Sequence, residues 1–424
     1  MQEYGTKARE MDEQDALAGF RKAFGTVLDE VIYLDGNSLG PLPRKTLLML
    51  DHKVREEWGQ GMIRSWNKGW FDLPLRLGRK LAPLIGAGED EVIFCDSVTV
   101  NFMKLVAAVI QRDPHRTRIV TDDLNFPSNF YALDGLLKGS GNGREVLYLE
   151  SPDGIELPAD LFRDAITQDT ALVTVSHVAF KSGYLHDLEA ICEIAHSKGA
   201  LVLADLSHSV GALPIHLNEW GVDLAVGCSY KYLNGGPGAP AFVFVRKELL
   251  EELPQVLTGW MGCADPFGFS RTYSPAAGMR RFLVGTPPIL SLQAIEPGLD
   301  LLLEAGLEPL RRKAVQLSEF LLEMYEDWLQ PLGFTLGSPL SPERRGSHLS
   351  FRHPEAYRIN KAMIEPRNGV PPVVPDFRKP DNLRLGMAPL YLRFHDIYRA
   401  VQRVVAIVES REFEYFSHDG PTVT

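Results

Sequence analysis

The chain has 424 residues, 45% of them apolar and 23% charged, enough for two or three well-filled domains and unlike disordered, collagen-like or disulfide-scaffold chains. Its 44 basic residues against 55 acidic ones leave a net charge of −11, the wrong sign for counterion-driven binding to nucleic acid or to an anionic membrane. Cys95, Cys192, Cys228 and Cys263 lie far apart with no zinc-type spacing, and neither a signal-peptide core nor an apolar run of about 18 residues occurs. Reduced thiols, no metal, no membrane and a cytoplasmic location are the expectations.

Residues 1–65 read as an N-terminal arm contributing to a smaller domain, and residues 66–300 as the large domain. Between Glu91 and Arg246, seven apolar runs alternate with helical segments: EVIFCD, RIVTDD, EVLYLE, ALVTVSHV, ALVLADLSHS, DLAVGCSYKYL and APAFVFVR. Continuous apolar runs of this kind predict a doubly wound, mostly parallel sheet covered by helices on both faces. In HDLEAICEIAHSKG, Leu188, Ile191, Ile194 and Ala195 share one helical face and Gly199 gives a stop signal, so this stretch predicts a βαβ unit. From Ser291 to Leu329 leucines recur at helical spacing, with an interruption near Gly306 and Pro309. Residues 301–424 follow as a smaller α+β domain with a proline-rich stretch (Pro371, Pro372, Pro375) and a closing helix, HDIYRAVQRVVAIVESREF.

The chemistry concentrates between Ala204 and Gly238. Asp205 ends the apolar run ALVLAD, where open α/β sheets present ligand-binding groups, and Lys231 follows another run in SYKYLNGGPG. Taken singly, Asp205 fits a turn cap and Lys231 a solvated lysine. Together, with His208 three residues beyond the aspartate, they suit pyridoxal phosphate: the lysine attaches it, and the carboxylate keeps its ring nitrogen protonated.

These residues, with YLDGNSLGPLP, IRSWNKGW, the FPSN segment at Phe126 to Asn129, ADLSHSVGALP, GTPPIL at Gly285 to Leu290 and LRLGMAPLY, resemble the kynureninases from about Tyr33 to Phe394. The resemblance implies a fold-type I pyridoxal phosphate enzyme, aspartate aminotransferase-like, that hydrolyses L-kynurenine to anthranilate and L-alanine in tryptophan catabolism. It makes Lys231 the attachment lysine and α-proton base, Asp205 the ring-nitrogen partner and His208 a neighbouring contact. Phe126 would stack on the ring, and Val98 and Thr99 would meet the phosphate at a helix N-terminus. Ser128, Asn129, Ser176 and Tyr230 match further cofactor contacts, Tyr230 also as a proton relay. Trp260 and Thr286 would reach across from a partner subunit of a homodimer with shared sites. Arg384 would take the substrate's α-carboxylate, while Trp66, Gly285 and Thr286 favour kynurenine over its 3-hydroxy derivative.

Several of these residues also admit plainer roles: Thr99 as a helix cap, Phe126 as a core aromatic, Ser176 as a strand serine, Trp260 as an interface or core aromatic, and Arg384 in a surface ion pair. Two positions depart from the family. Asn129 stands where it carries aspartate, and Ala179 where it commonly carries asparagine. If negative potential near the ring is what that aspartate supplies, Asn129→Asp should raise turnover. The competing functions are another lyase of the same fold, such as a cysteine desulfurase or selenocysteine lyase, which needs a nucleophilic cysteine on a mobile loop, and a non-catalytic binding protein that retains the fold.

Overall fold

The computed structural model describes residues 2–140, 143–367 and 369–418. After a short β1 (Ile32–Tyr33), all seven predicted runs form strands of one sheet: β2 (Val92–Phe94), β3 (Arg118–Asp122), β4 (Glu145–Leu149), β5 (Thr170–Ser176), β6 (Leu201–Asp205), β7 (Leu224–Gly227) and β8 (Phe242–Val245). Their order is β2-β8-β7-β6-β5-β3-β4, and β8 alone runs against the rest. Successive residues of one strand enter different cores. Val202 and Ala204 pack on one face of the sheet with Ile191 and Ala195, and Leu203 packs on the other with Phe102 and Leu105. The fold is therefore α/β and doubly wound.

The βαβ unit forms as its sequence implies. Asp187 caps helix Leu188–Ser197 by accepting from the Ala190 N–H at 3.0 Å. Gly199, at φ +74°, turns the chain into β6, which lies parallel to β5 and sets Ser176 beside Asp205.

A second sheet, antiparallel and ordered β12-β13-β10-β9, contains β9 (Thr335–Leu336), β10 (His348–Arg352), β12 (Asp376–Arg378) and β13 (Asn382–Gly386). Just before β12, β11 (Val373–Val374) pairs in parallel with β1 and so brings the segment after Tyr33 against the second sheet. Helix Gln2–Glu13 packs on the closing helix Phe394–Glu409, where Asp12 accepts from the Phe394 and His395 N–H groups at 2.7 and 3.1 Å. Helix Arg44–His52, from the same N-terminal stretch, packs instead on helix Ile289–Ala305. The leucine-rich connection breaks at Gly306, φ +75°, into Ile289–Ala305 and Leu307–Met324. Pro309 sits in the first turn of the second helix, where its missing N–H costs nothing. Among the described residues no helix is long and apolar enough to cross a membrane.

Helix Ile289–Ala305 backs the lysine segment closely. A Cβ at Gly298 would stand 1.9 Å from the Leu233 carbonyl oxygen. Alanine normally stabilises a helix interior by about 1 kcal/mol over glycine. Here Gly298→Ala is expected to destabilise the protein by about 2 kcal/mol through overpacking. Denaturant unfolding measures the sign, and a more stable variant would contradict the packing argument.

Candidate active site

β2, β3, β5, β6 and β7 run in one direction, and the residues at or just beyond their ends line a cavity of about 430 Å³. Asp205, the last residue of β6, is buried. One of its oxygens accepts from the Ser207 N–H at 2.9 Å and the other from the Asn129 amide at 3.2 Å. Asn129 is fixed in turn by Asn125, whose Oδ1 accepts from the Asn129 amide at 2.9 Å, the Ser176 hydroxyl at 2.7 Å and the Phe126 N–H at 2.8 Å. Asn125 is the hub that sequence reading missed. Its only signal there is its place four residues before Asn129, one helical turn.

Lys231 reaches into this cavity with Nζ 2.9 Å from His208 Nε2 and 5.9 Å from the centre of the Phe126 ring. Burial pulls the lysine pKa below its ordinary value, and the positive charges of Arg384 and Arg378 pull the same way. Burial, followed by the charge of Lys231, holds the His208 imidazole well below its ordinary pKa, so it is neutral and accepts from the amine. The result is an enclosed amine with a raised share of its nucleophilic, neutral form. Tyr230 precedes it on the cavity wall. Burial above all pushes its phenol upward, so it stays protonated and able to donate.

Phe126 is not a core phenylalanine. It is 41% exposed, faces the cavity and meets Phe180 edge to face at 5.2 Å. Ser128, beside it, lines the same wall. Val98 and Thr99 form the first turn of helix Val98–Arg112, but the cap is Ser97, whose hydroxyl accepts from the Val100 N–H at 3.4 Å. Thr99 is thus not the cap, and this first turn lines the cavity, so an anion there lies at a helix N-terminus, where it is favoured. The loop before them is pinned by the buried Lys104, which donates to the Asp96 carboxylate and, at 2.7 Å, to the Phe282 carbonyl.

Ten sequence-predicted residues therefore share one cavity: Val98, Thr99, Phe126, Ser128, Asn129, Ser176, Asp205, His208, Tyr230 and Lys231. Arg384 lies one layer behind. It is fully buried rather than at the surface, pairs with Asp376, and donates to the Ser38 hydroxyl at 3.0 Å and to the carbonyl of Phe180, whose ring lines the cavity. Trp66 and Trp260 line a separate aromatic cavity of about 510 Å³ with Phe71 and Phe267, while Gly285 and Thr286 are exposed. Within one chain these four do not join the Lys231 cavity. Ala179 is buried in the core beside Phe180.

An enclosed lysine, a carboxylate at a strand end, an open helix N-terminus and an exposed aromatic face fit pyridoxal phosphate, as do two buried polar atoms of the wall, His208 Nδ1 and Asn129 Oδ1, that lack partners among the described residues. Fold and site thus define a pyridoxal phosphate enzyme. The profile of the family described as aminotransferase class-V matches residues 32–358. The chain is 42% identical to the kynureninase of Pseudomonas fluorescens over 406 residues, covering 95% of this chain and 94% of that one. It is 40% identical to the kynureninase of Burkholderia mallei (strain SAVP1) over 409 residues, 95% of each. The chain belongs to the kynureninases within the class-V family. Among solved structures, an apo cysteine desulfurase from Thermococcus onnurineus NA1 superposes with a TM-score of 0.77 at 18% identity, covering 93% of this chain and 98% of that one. The cysteine desulfurase CsdA of Escherichia coli gives 0.74 at 18%, covering 95% and 99%. At that identity the likeness concerns the fold alone.

The contact of Asn129 with Asp205 revises the expectation drawn from sequence. Exchanging Asn129 for aspartate does more than add a charge, because it replaces a donor by an acceptor 3.2 Å from the Asp205 oxygen. Repulsion raises the new carboxyl's folded-state pKa above its unfolded value, so the penalty is absent at low pH and grows as pH rises. The cofactor-free Asn129→Asp protein is expected to be destabilised by roughly 1–3 kcal/mol at pH 8 and much less at pH 5, with turnover no higher than the parent's. Thermal melts at the two pH values and steady-state rates check this, and an equal melting temperature at both would contradict it.

Proposed function

We propose that the protein cleaves L-kynurenine with water to anthranilate and L-alanine, using pyridoxal phosphate held at Lys231. The observation that carries this reading is the enclosed Lys231 amine, set between His208 and Phe126 in one cavity with Asp205, in a chain that matches kynureninases over 95% of its length. When bound, pyridoxal phosphate accepts the electron pair released at the substrate's α-carbon. Asp205 would hold the proton on its ring nitrogen, Phe126 would cover its face, and Val98, Thr99 and Tyr230 would hold its phosphate. With the substrate amine in place, Lys231 would take the α-proton as general base, a task that its lowered pKa favours. Arg384 would orient the substrate through its carboxylate, and the Tyr230 hydroxyl would donate a proton during carbon–carbon cleavage.

The desulfurase alternative lacks its nucleophile. Cys228 alone among the four cysteines lines the cavity, it is buried, and burial raises its thiol pKa. Retention of both Asp205 and Lys231 speaks against a non-catalytic binding protein, for which a bound-cofactor absorbance band would be missing. Incubation of the holoenzyme with L-kynurenine, followed by anthranilate fluorescence, tests the activity. Lys231→Ala is expected to abolish turnover with folding intact. Borohydride reduction and peptide mapping should place the label on Lys231, and a label on Lys104 or Lys181 would overturn the assignment.

The protein is further proposed to be a cytoplasmic homodimer in which Trp260 and the GTPPIL segment at Gly285 and Thr286 reach into the partner's site, with Trp66 facing the substrate's ring. Supporting this, Leu47, Leu48, Trp58, Met62 and Ile63 expose 58–77% of their surface, with Ile63 lining the Trp66 cavity, apolar area that a second copy would cover. The sequence-drawn division into residues 1–65, 66–300 and 301–424 is likewise proposed, with the first helix belonging to the smaller unit. Light scattering should give a dimer, and Ile63→Asp should shift it toward monomer and reduce turnover at least tenfold. A fully active monomer would contradict the shared site.

A further inference from the structure

The surroundings of Arg384 contain one acid more than an ion pair requires. Asp376 is bound by two guanidiniums: Arg378 donates to its Oδ1 at 2.8 Å and Arg384 to its Oδ2. The Ser38 hydroxyl sits among them, accepting from Arg384 at 3.0 Å and from Arg378 at 3.3 Å and donating to Asp376 at 3.1 Å. Two guanidiniums against one carboxylate leave a single positive charge, the complement of an incoming carboxylate. Asp35 is the second acid. It follows β1, on the stretch that pairing with β11 brings against β12, and it is buried with its Oδ1 unpartnered among the described residues.

Resting on the reading that Arg384 takes the substrate's carboxylate, we propose that Asp35 is a positioning residue that sets substrate affinity: neutral, it leaves Arg384 the net positive charge that binds the carboxylate, and ionised, it cancels that charge. Burial first, then repulsion from Asp376, lifts the Asp35 carboxyl to about 7 against the pull of Ser38, Arg384 and Arg378. The other ionisable groups that face it among the described residues are phenols: Tyr33 from the strand just before it, Tyr232 from the lysine segment and Tyr391 from the loop before the closing helix. Burial keeps all three protonated, so they add no charge. An acid with a raised pKa is neutral below it. The cluster therefore carries +1 below pH about 7 and approaches zero above it, where a substrate carboxylate meets an extra like charge.

The test uses the holoenzyme and two substrates, L-kynurenine and L-kynurenine amide, which lacks the carboxylate. In the parent, the KM for the acid relative to the amide should rise about tenfold between pH 6 and pH 8.5, with the ratio of their kcat values flat. Asp35→Asn should remove that rise while keeping the low KM, whereas a merely structural role would move kcat and KM together at every pH. A parent ratio that is constant with pH, or a rise that persists in Asp35→Asn, overturns the proposal. An Arg384→Gln variant whose KM for the acid equals the parent's overturns the carboxylate subsite itself, and the role of Asp35 falls with it.

Discussion

A primary amine withheld from bulk water beside a neutral imidazole is the interaction on which the rest of the site depends. In water Lys231 would be a hydrated ammonium and a poor nucleophile. Enclosed, 2.9 Å from His208 and with guanidiniums behind it, its charged form is disfavoured. That environment needs a rigid frame, because an amine free to swing into solvent regains its proton. The frame is the sheet edge: β6 delivers Asp205 and leads to His208, and β7 delivers the lysine. Helix Ile289–Ala305 closes the rear so tightly that position 298 admits no side chain.

The opposite wall is built from amides rather than charges. Asn125 receives three donors on one oxygen and so aligns Ser176, Phe126 and Asn129 at once, and Asn129 then spends its amide on both Asn125 and Asp205. Such a network is cooperative, since each member fixes the orientation of the next. It also explains how asparagine can stand where the family resemblance led to an expectation of aspartate: the Asp205 carboxylate obtains a donor in place of a second anion.

Much of this was legible in the sequence, for physical reasons. Most of the seven strands announce themselves because the central ones are buried on both faces and read as nearly continuous apolar runs, while the edge strand β4 is partly exposed and shows instead as the mixed run EVLYLE. The helix before β6 was legible from its 3.6-residue period and its stop glycine. Asp205 and Lys231, with His208 three residues on, were legible from their places at or just past strand ends, and Val98 and Thr99 from theirs at a helix start, whereas Phe126, Ser128, Asn129, Ser176 and Tyr230 were expected from the family resemblance alone. What was not legible are contacts that join distant stretches. Arg384 meets Ser38 across 346 residues and the Phe180 carbonyl across 204, so its burial and its link to Asp376 could not be read from NLRLG. The same holds for Asp35, which looks like a turn residue until β1 and β11 pair. Trp66, Trp260, Gly285 and Thr286 form a different case: the first two line a cavity apart from Lys231 and the last two are exposed, and nothing in their local sequence shows that separation.

The sheet that holds Lys231 also occurs in cysteine desulfurases at 18% identity, so the scaffold does not decide the chemistry. The decision lies in what surrounds the enclosed amine. Sulfur transfer needs a thiolate that can approach and leave, yet burial disfavours the thiolate of Cys228 in this cavity wall. A carbon–carbon cleavage needs instead a fixed grip on the substrate's backbone end while a proton reaches the departing side chain. Arg384 and Tyr230 suit those tasks for opposite reasons. One is a permanent cation immobilised by Asp376, Ser38 and the Phe180 carbonyl, and the other is a phenol that burial keeps protonated. Because Phe180 both touches Phe126 and supplies a carbonyl to Arg384, a shift of that single residue is felt at the exposed aromatic face of the cavity and at the buried guanidinium together.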